Sequence, residues 1–247
     1  MPVEINCDMG EGFGLYEVAD DRALMPFIDV ANVACGFHAS DPTIMHRTVR
    51  WAKEFGVRVG AHPSLPDLQG FGRREMRVSP DEVSALVTYQ AGALAGFLKA
   101  EGMPLNHIKP HGALYGMSAK DEGMAIAICE VARSFGVPLV GLSGSRHEMA
   151  CRARGVRFVA EFYIDLDYAP GGDLIVTRQH EPRDPAAAAQ RALRAVAEGR
   201  VAAVDGSQLA VKAQSLCIHS DTPNAVAVAQ AVTALFGPYL AARGGRG

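Results

Sequence analysis

The sequence places a cation and an imidazole directly after a short apolar segment, in the run Ile108-Lys109-Pro110-His111-Gly112. Lysine can bind a carboxylate or a developing oxyanion, and histidine can transfer protons or bind a metal ion. In isolation, the same run is more typical of an ordinary turn. The apolar residues 105–108 predict a buried strand. We predict a turn at Gly112, with helix beginning again at Ala119.

The same arrangement recurs along the chain, because polar side chains follow most of the other predicted strands. In a barrel of parallel strands these ends meet at one face, where active sites are built. We therefore expect one active-site mouth. His46, His147 and His180 are predicted at the surface, whereas His107 lies within a strand and faces either the barrel interior or the helices. The residues at the other strand ends are Asp8 and Glu11, His38 and Asp41, His62 and Asp67, Glu161 and Asp165, and His219 and Asp221.

A divalent metal ion is one way to use these side chains. Asp8, His38 and His62 follow consecutive strands, and one aspartate with two histidines is a donor set for Zn²⁺ or a similar ion. The alternative is a metal-free site in which the same groups hydrogen-bond a polar substrate. Asp8 or Glu11 is the candidate general base. Lys109 either binds negative charge on the substrate or pairs with a carboxylate such as Asp8.

Strands and helices alternate along the whole sequence. This alternation implies a parallel sheet covered by helices, and a single domain spanning 1–247 favours a seven-stranded parallel β/α barrel. An open doubly wound sheet is the alternative, but its G-x-G-x-x-G fingerprint is missing. The tail 243–247 is expected to be disordered. Strands are predicted at 3–7, 30–35, 57–61, 105–108, 138–142, 156–160 and 216–218, with one candidate extra strand at 174–177. Helices are predicted at 20–27, 42–55, 79–100, 119–135, 146–154, 184–198 and 224–236.

Composition excludes several classes of function. The net charge is −3 and the basic residues are scattered, so we expect neither a nucleic-acid surface nor a membrane surface. The N-terminus shows no export signal. The five cysteines lack paired spacing and are expected to be free thiols in a reducing cytoplasm. Among them, Cys7 and Cys35 lie close to the strand ends and are interpreted as buried structural thiols.

Six ordered sequence blocks together resemble the LamB/YcsF family, and they cover almost the whole chain. The blocks are Asn6-Cys7-Asp8-Met9-Gly10-Glu11, Ala34-Cys35-Gly36-Phe37-His38-Ala39, Gly60-Ala61-His62-Pro63-Ser64, Gln69-Gly70-Phe71-Gly72-Arg73-Arg74, Lys109-Pro110-His111-Gly112-Ala113-Leu114-Tyr115 and Cys217-Ile218-His219-Ser220-Asp221-Thr222-Pro223.

The resemblance implies a barrel of the glycoside hydrolase/deacetylase type. It also implies ATP-dependent opening of the 5-oxoproline lactam to L-glutamate, carried out with two partner subunits of a 5-oxoprolinase. The sequence contains no G-x-x-x-x-G-K-[ST] loop, so we expect ATP to be bound mainly by the partners. We assign the expected catalytic residues as Asp8, Glu11, Lys109 and His111, and the substrate-binding residues as Glu161, Arg73, His219 and Asp221.

The sequence departs from the family pattern at three positions. Leu166 replaces an arginine that is usual after the sixth strand, and Ser40 and Ser220 stand where glycine is usual. Loss of an arginine near the mouth could change how an anionic substrate is held. Two alternatives therefore stay open. One is a stand-alone metal-dependent amidase or deacetylase for a small amide or sugar, and the other is a non-catalytic subunit that binds a small acid.

Overall fold

Seven parallel strands close into a barrel in the order β1-β11-β6-β5-β4-β3-β2. The structure is a computed structural model that describes residues 3–175 and 181–237. The prediction of a seven-stranded β/α barrel is confirmed, and the open doubly wound sheet is excluded. The strands are β1 (Glu4–Met9), β2 (Val30–Ala34), β3 (Arg58–His62), β4 (Leu105–Ile108), β5 (Leu139–Leu142), β6 (Phe158–Tyr163), β7 (Asp167–Tyr168), β8 (Leu174–Ile175), β9 (Arg200–Ala202), β10 (Gln208–Ala210) and β11 (Ser215–His219).

Eight α-helices and one short 3-10 helix accompany the strands within the described residues. The longest helix begins at a capping box, in which Ser79 and Glu82 satisfy each other's backbone N–H groups. The α-helices are α1 (Asp21–Leu24), α2 (Pro42–Phe55), α3 (Pro80–Ala100), α4 (Gly112–Lys120), α5 (Glu122–Ser134), α6 (Arg146–Arg154), α7 (Pro185–Glu198) and α8 (Ala225–Phe236), and the 3-10 helix is Met25–Phe27. None of the described helices is long and apolar enough to cross a membrane.

Several barrel strands end one to three residues later than the sequence predicts. Asp8, His62, Glu161 and His219 therefore lie within the last residues of β1, β3, β6 and β11, and not after them. Side chains alternate between the two faces of a strand, so residues two apart share a face. The carboxyl end of the barrel interior is consequently lined by polar side chains, and the apolar positions between them pack against the helices.

The connection after β4 differs from the predicted turn. Helix α4 begins directly at Gly112, and His111 occupies its N-cap position. Leu114 and Tyr115 are buried, so their packing favours helix where a turn is predicted. The predicted helix 119–135 is two helices, because the Asp121 carboxylate accepts a hydrogen bond from the backbone of Met124 and starts a new one.

His147 is not at the surface as predicted. It is fully buried on α6, where its Nε2 lies 2.7 Å from the Ser118 hydroxyl on α4. His46 does lie at the surface and pairs with Glu101 at 2.9 Å. His180 and the tail 243–247 lie outside the described residues.

Two small antiparallel pairs flank the barrel. Strand β8 corresponds to the start of the predicted strand at 174–177 and pairs with β7. Strands β9 and β10 form a hairpin that the sequence analysis misses. The turn Asp205-Gly206-Ser207 between them contains a glycine at φ 85°, which is a local signal for such a hairpin.

A candidate active site in two polar layers

Polar side chains fill the carboxyl end of the barrel in two layers. The lower layer lies deeper in the barrel and consists of Asn6, Asn32, His107, Lys109 and Glu161. The upper layer lies above it and consists of Glu11, His38, His62 and His111. Asp8 belongs to both layers, because each of its two carboxylate oxygens contacts a different one. All ten residues are at most 4% exposed.

Hydrogen bonds connect the members of the lower layer. The amide of Asn32 donates to Asn6 Oδ1 and to Asp8 Oδ1, each at 2.7 Å. His107 Nε2 lies 2.6 Å from Asn32 Oδ1. His107 fits here because β3 carries Gly60 opposite it, and a Cβ at Gly60 would overlap the imidazole ring. Burial and the Lys109 charge lower the pKa of His107 to about 3, so this ring is neutral.

Lys109 supplies the positive charge of the lower layer. Its Nζ lies 2.9 Å from Asp8 Oδ1, 3.1 Å from Glu161 Oε2 and 3.1 Å from Cys217 Sγ. Burial favours the neutral amine, but Asp8, Cys217 and Glu161 outweigh it and hold the pKa of Lys109 well above its ordinary value. These contacts place Lys109 among the protein's own carboxylates. Its expected role as a ligand for substrate charge stays a prediction, and the geometry favours the alternative pairing with Asp8.

Asp8 is an ionised carboxylate held from both sides. Burial raises its pKa, but His62 and Lys109 outweigh this effect and hold the pKa of Asp8 well below its ordinary value. Asp8 Oδ1 faces the lower layer. Asp8 Oδ2 faces upward, at 3.2 Å from His62 Nε2 and 3.8 Å from His219 Nε2.

The upper layer consists of three closely packed imidazoles and one carboxylate. The rings of His38 and His111 stack with centroids 3.7 Å apart, and His62 Nε2 lies 3.0 Å from His111 Nδ1. Glu11 Oε1 lies 3.0 Å from His38 Nε2 and 3.3 Å from His111 Nδ1. Burial lowers the pKa values of His38 and His111 well below the ordinary value. Burial and the nearby Asp8 raise the pKa of Glu11 well above its ordinary value.

His219 and Asp165 form an oriented pair at the side of the mouth. Asp165 Oδ1 lies 2.9 Å from His219 Nδ1, and Asp165 Oδ2 accepts a hydrogen bond from the His219 backbone N–H at 2.7 Å. Burial favours the neutral imidazole, but Asp165 outweighs it and raises the pKa of His219 to about 8. Its ring stacks on Tyr163, which leaves Nε2 directed toward Asp8.

The loop 63–79 covers the mouth. The backbone carbonyl of Phe71 lies 2.8 Å from His111 Nε2, and Arg73 makes an ion pair with Asp221 at 2.8 Å. Gly72 has φ 65°, and a Cβ there would come within 2.8 Å of both His38 and His111. The loop thus reaches the imidazoles only because this position is glycine.

A cavity of about 40 Å³ remains under the loop, which is little more than the share of one water molecule in liquid. Asp8, His62, His111, Tyr163 and His219 are among the residues that line it.

The structure groups the predicted site residues differently from the arrangement predicted from the sequence. Among the described residues, Asp8, His38 and His62 do not form one compact donor set. Other sets do, and two of them contain His111: Asp8 with His62 and His111, and Glu11 with His38 and His111. Arg73 and Asp221 lie at the mouth but contact each other, whereas Glu161 lies in the lower layer. Leu166 is buried and lines the cavity.

Several residues of the site are not predicted from the sequence. Asn6, Asn32, Tyr163 and Cys217 contribute contacts in or beside the lower layer, and Asp165 orients His219, a role that its position after the sixth strand does not reveal. A signal was present in the spacing. Asn6 and Cys217 each stand two residues before a nominated side chain in the same strand, and Asn32 interrupts an apolar strand.

The fold and the site define a β/α-barrel protein with a buried carboxylate–imidazole cluster at the carboxyl ends of its strands. Its fold is shared with a family 4 carbohydrate esterase from Streptomyces lividans, solved in complex with acetate. The two structures superpose with a TM-score of 0.51 at 10% identity, over 96% of this chain and 88% of that one. Residues 3–237 match the LamB/YcsF family. The chain belongs to this family.

Relatives match the chain over nearly its full length. A 5-oxoprolinase subunit from Thermus thermophilus is 49% identical, with 94% of each chain covered. A lactam utilization protein lamB from Emericella nidulans is 46% identical over 91% of this chain and 90% of its own. The crystal structure of a lactam utilization protein from Thermus thermophilus superposes with a TM-score of 0.88 at 47% identity, over 96% of this chain and 97% of that one.

Proposed function

We propose that this chain is the lactam-opening component of an ATP-dependent 5-oxoprolinase, which converts 5-oxoproline to L-glutamate. The observation that carries the proposal is the small cavity bordered by Asp8, His62, His111 and His219. It brings an ionised carboxylate, imidazole lone pairs and an oriented Asp–His pair to one small space. These are the groups that hydrolysis of an amide needs. The names of the near-full-length relatives support 5-oxoproline as the amide.

The reaction needs a water to attack the lactam carbonyl carbon and a proton to reach the departing ring nitrogen. Asp8 Oδ2 and the imidazole of His62 face the cavity and orient the water. Glu11, whose Oε1 lies 3.3 Å from the cavity-lining His111, accepts the proton of the water. His219 Nε2 donates a proton to the ring nitrogen as the C–N bond breaks, and Asp165 fixes the orientation of its ring. The product is an open amino acid.

Lys109 acts in this mechanism by positioning Asp8. It is 1% exposed and held by Asp8 and Glu161, so it keeps the Asp8 carboxylate ionised and oriented. Arg73, which lines the cavity, is the cation best placed to bind the carboxylate of 5-oxoproline. The substrate would then replace Asp221 as the partner of Arg73.

The cavity is too small for a five-membered lactam with its carboxylate, so the loop 63–79 must open to admit it. The Arg73–Asp221 ion pair holds the loop closed from across the mouth. Closure excludes bulk water from the reacting amide, and substrate-induced loop closure is a common device for this purpose.

ATP and two partner subunits complete the proposal. The lactam is a stable cyclic amide, so its hydrolysis is coupled to ATP. We assign ATP binding mainly to the partners, because this chain has no recognisable phosphate-binding loop. The activated lactam is then opened at the mouth of this barrel.

Reconstitution tests the proposal. The purified chain is combined with the two candidate partner subunits, and glutamate formation and ATP hydrolysis are followed with and without 5-oxoproline. Both activities should require all three chains and the substrate. His219→Gln should abolish glutamate formation, whereas His46→Gln, which changes an exposed histidine on α2, should leave it intact. A complete mixture that forms no glutamate would contradict the proposed function.

A further inference from the structure

Two imidazoles of the upper layer direct ring nitrogens at each other. His62 Nδ1 lies 2.7 Å from the backbone carbonyl of Lys109, and His111 Nε2 lies 2.8 Å from the backbone carbonyl of Phe71. A carbonyl oxygen only accepts hydrogen bonds, so each of these nitrogens carries a hydrogen. The remaining nitrogens, His62 Nε2 and His111 Nδ1, face each other at 3.0 Å, and in a neutral ring each of them offers a lone pair to a ligand.

Two carboxylate oxygens are directed at the same point. Asp8 Oδ2 lies 3.2 Å from His62 Nε2, and Glu11 Oε1 lies 3.3 Å from His111 Nδ1. Two ring nitrogens and two carboxyl oxygens thus converge in one buried space. Buried polar atoms gathered in this way need a donor or a cation between them. The lower layer offers no relief, because Lys109 already binds Asp8 Oδ1 and Glu161.

The charge of the whole mouth points the same way. Carboxyl groups are more numerous there than cationic side chains, with His219 counted among the cations. The carboxylates are Asp8, Glu11, Glu161, Asp165 and Asp221, and the cations are Lys109, Arg73 and His219. Buried charges are normally paired or bound to metal ions. A divalent cation would suit this carboxyl-rich site.

We propose that Asp8, His62 and His111 bind one divalent transition-metal ion of the Zn²⁺ class, with Glu11 beside it. The three ligand atoms lie within 4.8 Å of one another. A tetrahedral ion with bonds of about 2.0–2.2 Å separates its ligands by roughly 3.3–3.6 Å. The observed separations of 3.2 Å and 3.0 Å are close to this spacing. Imidazole nitrogens favour transition metals over Mg²⁺ or Ca²⁺.

The second contacts of the ligands fit such a role. Metal-binding histidines usually donate their other N–H to a carbonyl or carboxylate, which fixes the ring, and His62 and His111 both do so. The other set that shares Asp8 contains Cys217 and His219, but Cys217 Sγ lies 3.1 Å from the Lys109 ammonium, which would repel a cation.

This inference deepens the proposed function, because a bound ion would stabilise negative charge on the amide oxygen. It differs from the set nominated by the sequence, since His111 replaces His38. Its test needs neither substrate, ATP nor partners. A failure of metal binding is therefore distinguishable from a failure of the proposed reaction.

The experiment measures metal binding to the chelator-stripped full chain. Titration calorimetry with Zn²⁺, together with elemental analysis after dialysis, should show one ion per chain and a raised melting temperature. His62→Gln and His111→Gln should each weaken Zn²⁺ binding at least about 100-fold, more than the loss of a group that only orients a ligand. His46→Gln is the matched control and should bind like the wild type. Circular dichroism verifies that each variant is folded.

Co²⁺ reports the ligand types. A Co²⁺ complex of oxygen and nitrogen ligands should show visible d–d bands without strong near-ultraviolet absorption from a thiolate. A thiolate band that disappears in Cys217→Ser would overturn the ligand set. Absence of stoichiometric Zn²⁺ binding by the folded wild type, or unchanged binding in both folded His62→Gln and His111→Gln, would overturn the proposal itself.

Discussion

The two polar layers of the barrel mouth are built from the same residue types but are satisfied differently. In the lower layer, donors and acceptors match. Asn32 gives both amide hydrogens to acceptors, and Lys109 lies between two carboxylates. In the upper layer, ring nitrogens and carboxyl oxygens face one another without a cationic lysine or arginine between them, as at His62 and His111. The lower layer therefore has the properties of a scaffold, and the upper layer is where we propose that a metal ion binds.

Asp8 should show the largest effect, because it belongs to both layers. Asp8→Asn removes the negative charge that Lys109 and His62 share while keeping the shape of the side chain. We expect glutamate formation by the reconstituted complex to fall at least about 1000-fold, equivalent to roughly 4 kcal/mol of transition-state stabilisation. Asp173→Asn, at an exposed ion pair with Lys120, is the matched control. Activity above about a tenth of wild type in Asp8→Asn would remove Asp8 from the mechanism.

The lower layer is tested by removing its cation. Lys109→Met leaves the Asp8 and Glu161 carboxylates buried without their partner, and breaking a buried ion pair costs about 3–5 kcal/mol of unfolding free energy. Adding Glu161→Gln should recover part of this loss, because one orphaned charge disappears. Urea denaturation measures both changes.

Lys120→Met, which removes the cation of an exposed ion pair, is the reference for the Lys109 variants. It should change the unfolding free energy by less than about 0.5 kcal/mol. If Lys109→Met behaved like Lys120→Met, the lower layer would not be a scaffold.

His147 provides a buried histidine outside both layers. Burial lowers its pKa to about 4, against about 6.5 for an ordinary histidine. Between about pH 6.5 and pH 4, His147 is protonated in the unfolded chain but stays neutral in the folded protein. Its contribution to the unfolding free energy is therefore complete above about pH 6.5 and decreases as the pH falls toward 4.

The loss over this range amounts to at most about 3 kcal/mol. As the pH is lowered from 7 to 4, the wild type should lose up to this amount of unfolding free energy relative to His147→Gln. Urea denaturation of both proteins across this pH range measures the change. A difference that does not depend on pH would show that His147 titrates normally.

The smallest effect is expected in the upper layer without metal. His111→Gln loses the hydrogen bond to the Phe71 carbonyl but also removes a ring nitrogen from the crowded upper layer, so the two effects offset and the unfolding free energy of chelator-treated protein should change by less than about 1 kcal/mol. His107→Gln breaks a satisfied hydrogen bond to Asn32 in the lower layer and should cost about 1–3 kcal/mol. Equal losses in the two variants would erase the distinction between the layers.

The sequence predicts the barrel well because strict strand–helix alternation leaves few other architectures. It also predicts several of the side chains that reach the mouth, since parallel strands bring their carboxyl ends together. It does not predict their pairing. His38 contacts Glu11 and not Asp8 because of loop geometry after β1 and β2, and the hydrogen on His111 is fixed by a carbonyl of Phe71 far away in the chain.

The missed helix start at Gly112 has a similar cause. Gly112 and the lysine–proline–histidine run before it are turn signals, and only the buried packing of Leu114 and Tyr115 favours helix there. Local propensity is a weak guide where tertiary packing decides. Leu166 shows the same limit. The sequence marks it as a departure, but its place in the cavity wall depends on the fold.

The lengths of two connections at the mouth have a consequence for how the protein can evolve. Only Lys109, Pro110 and His111 separate β4 from α4, so an insertion there would displace two chemical groups and a helix together. The segment 63–79 between β3 and α3 is longer, so it has room to vary away from Phe71 and Gly72, and it supplies Arg73 to the cavity. New substrate preferences can arise by remodelling this segment, while the reacting groups beneath it stay in register.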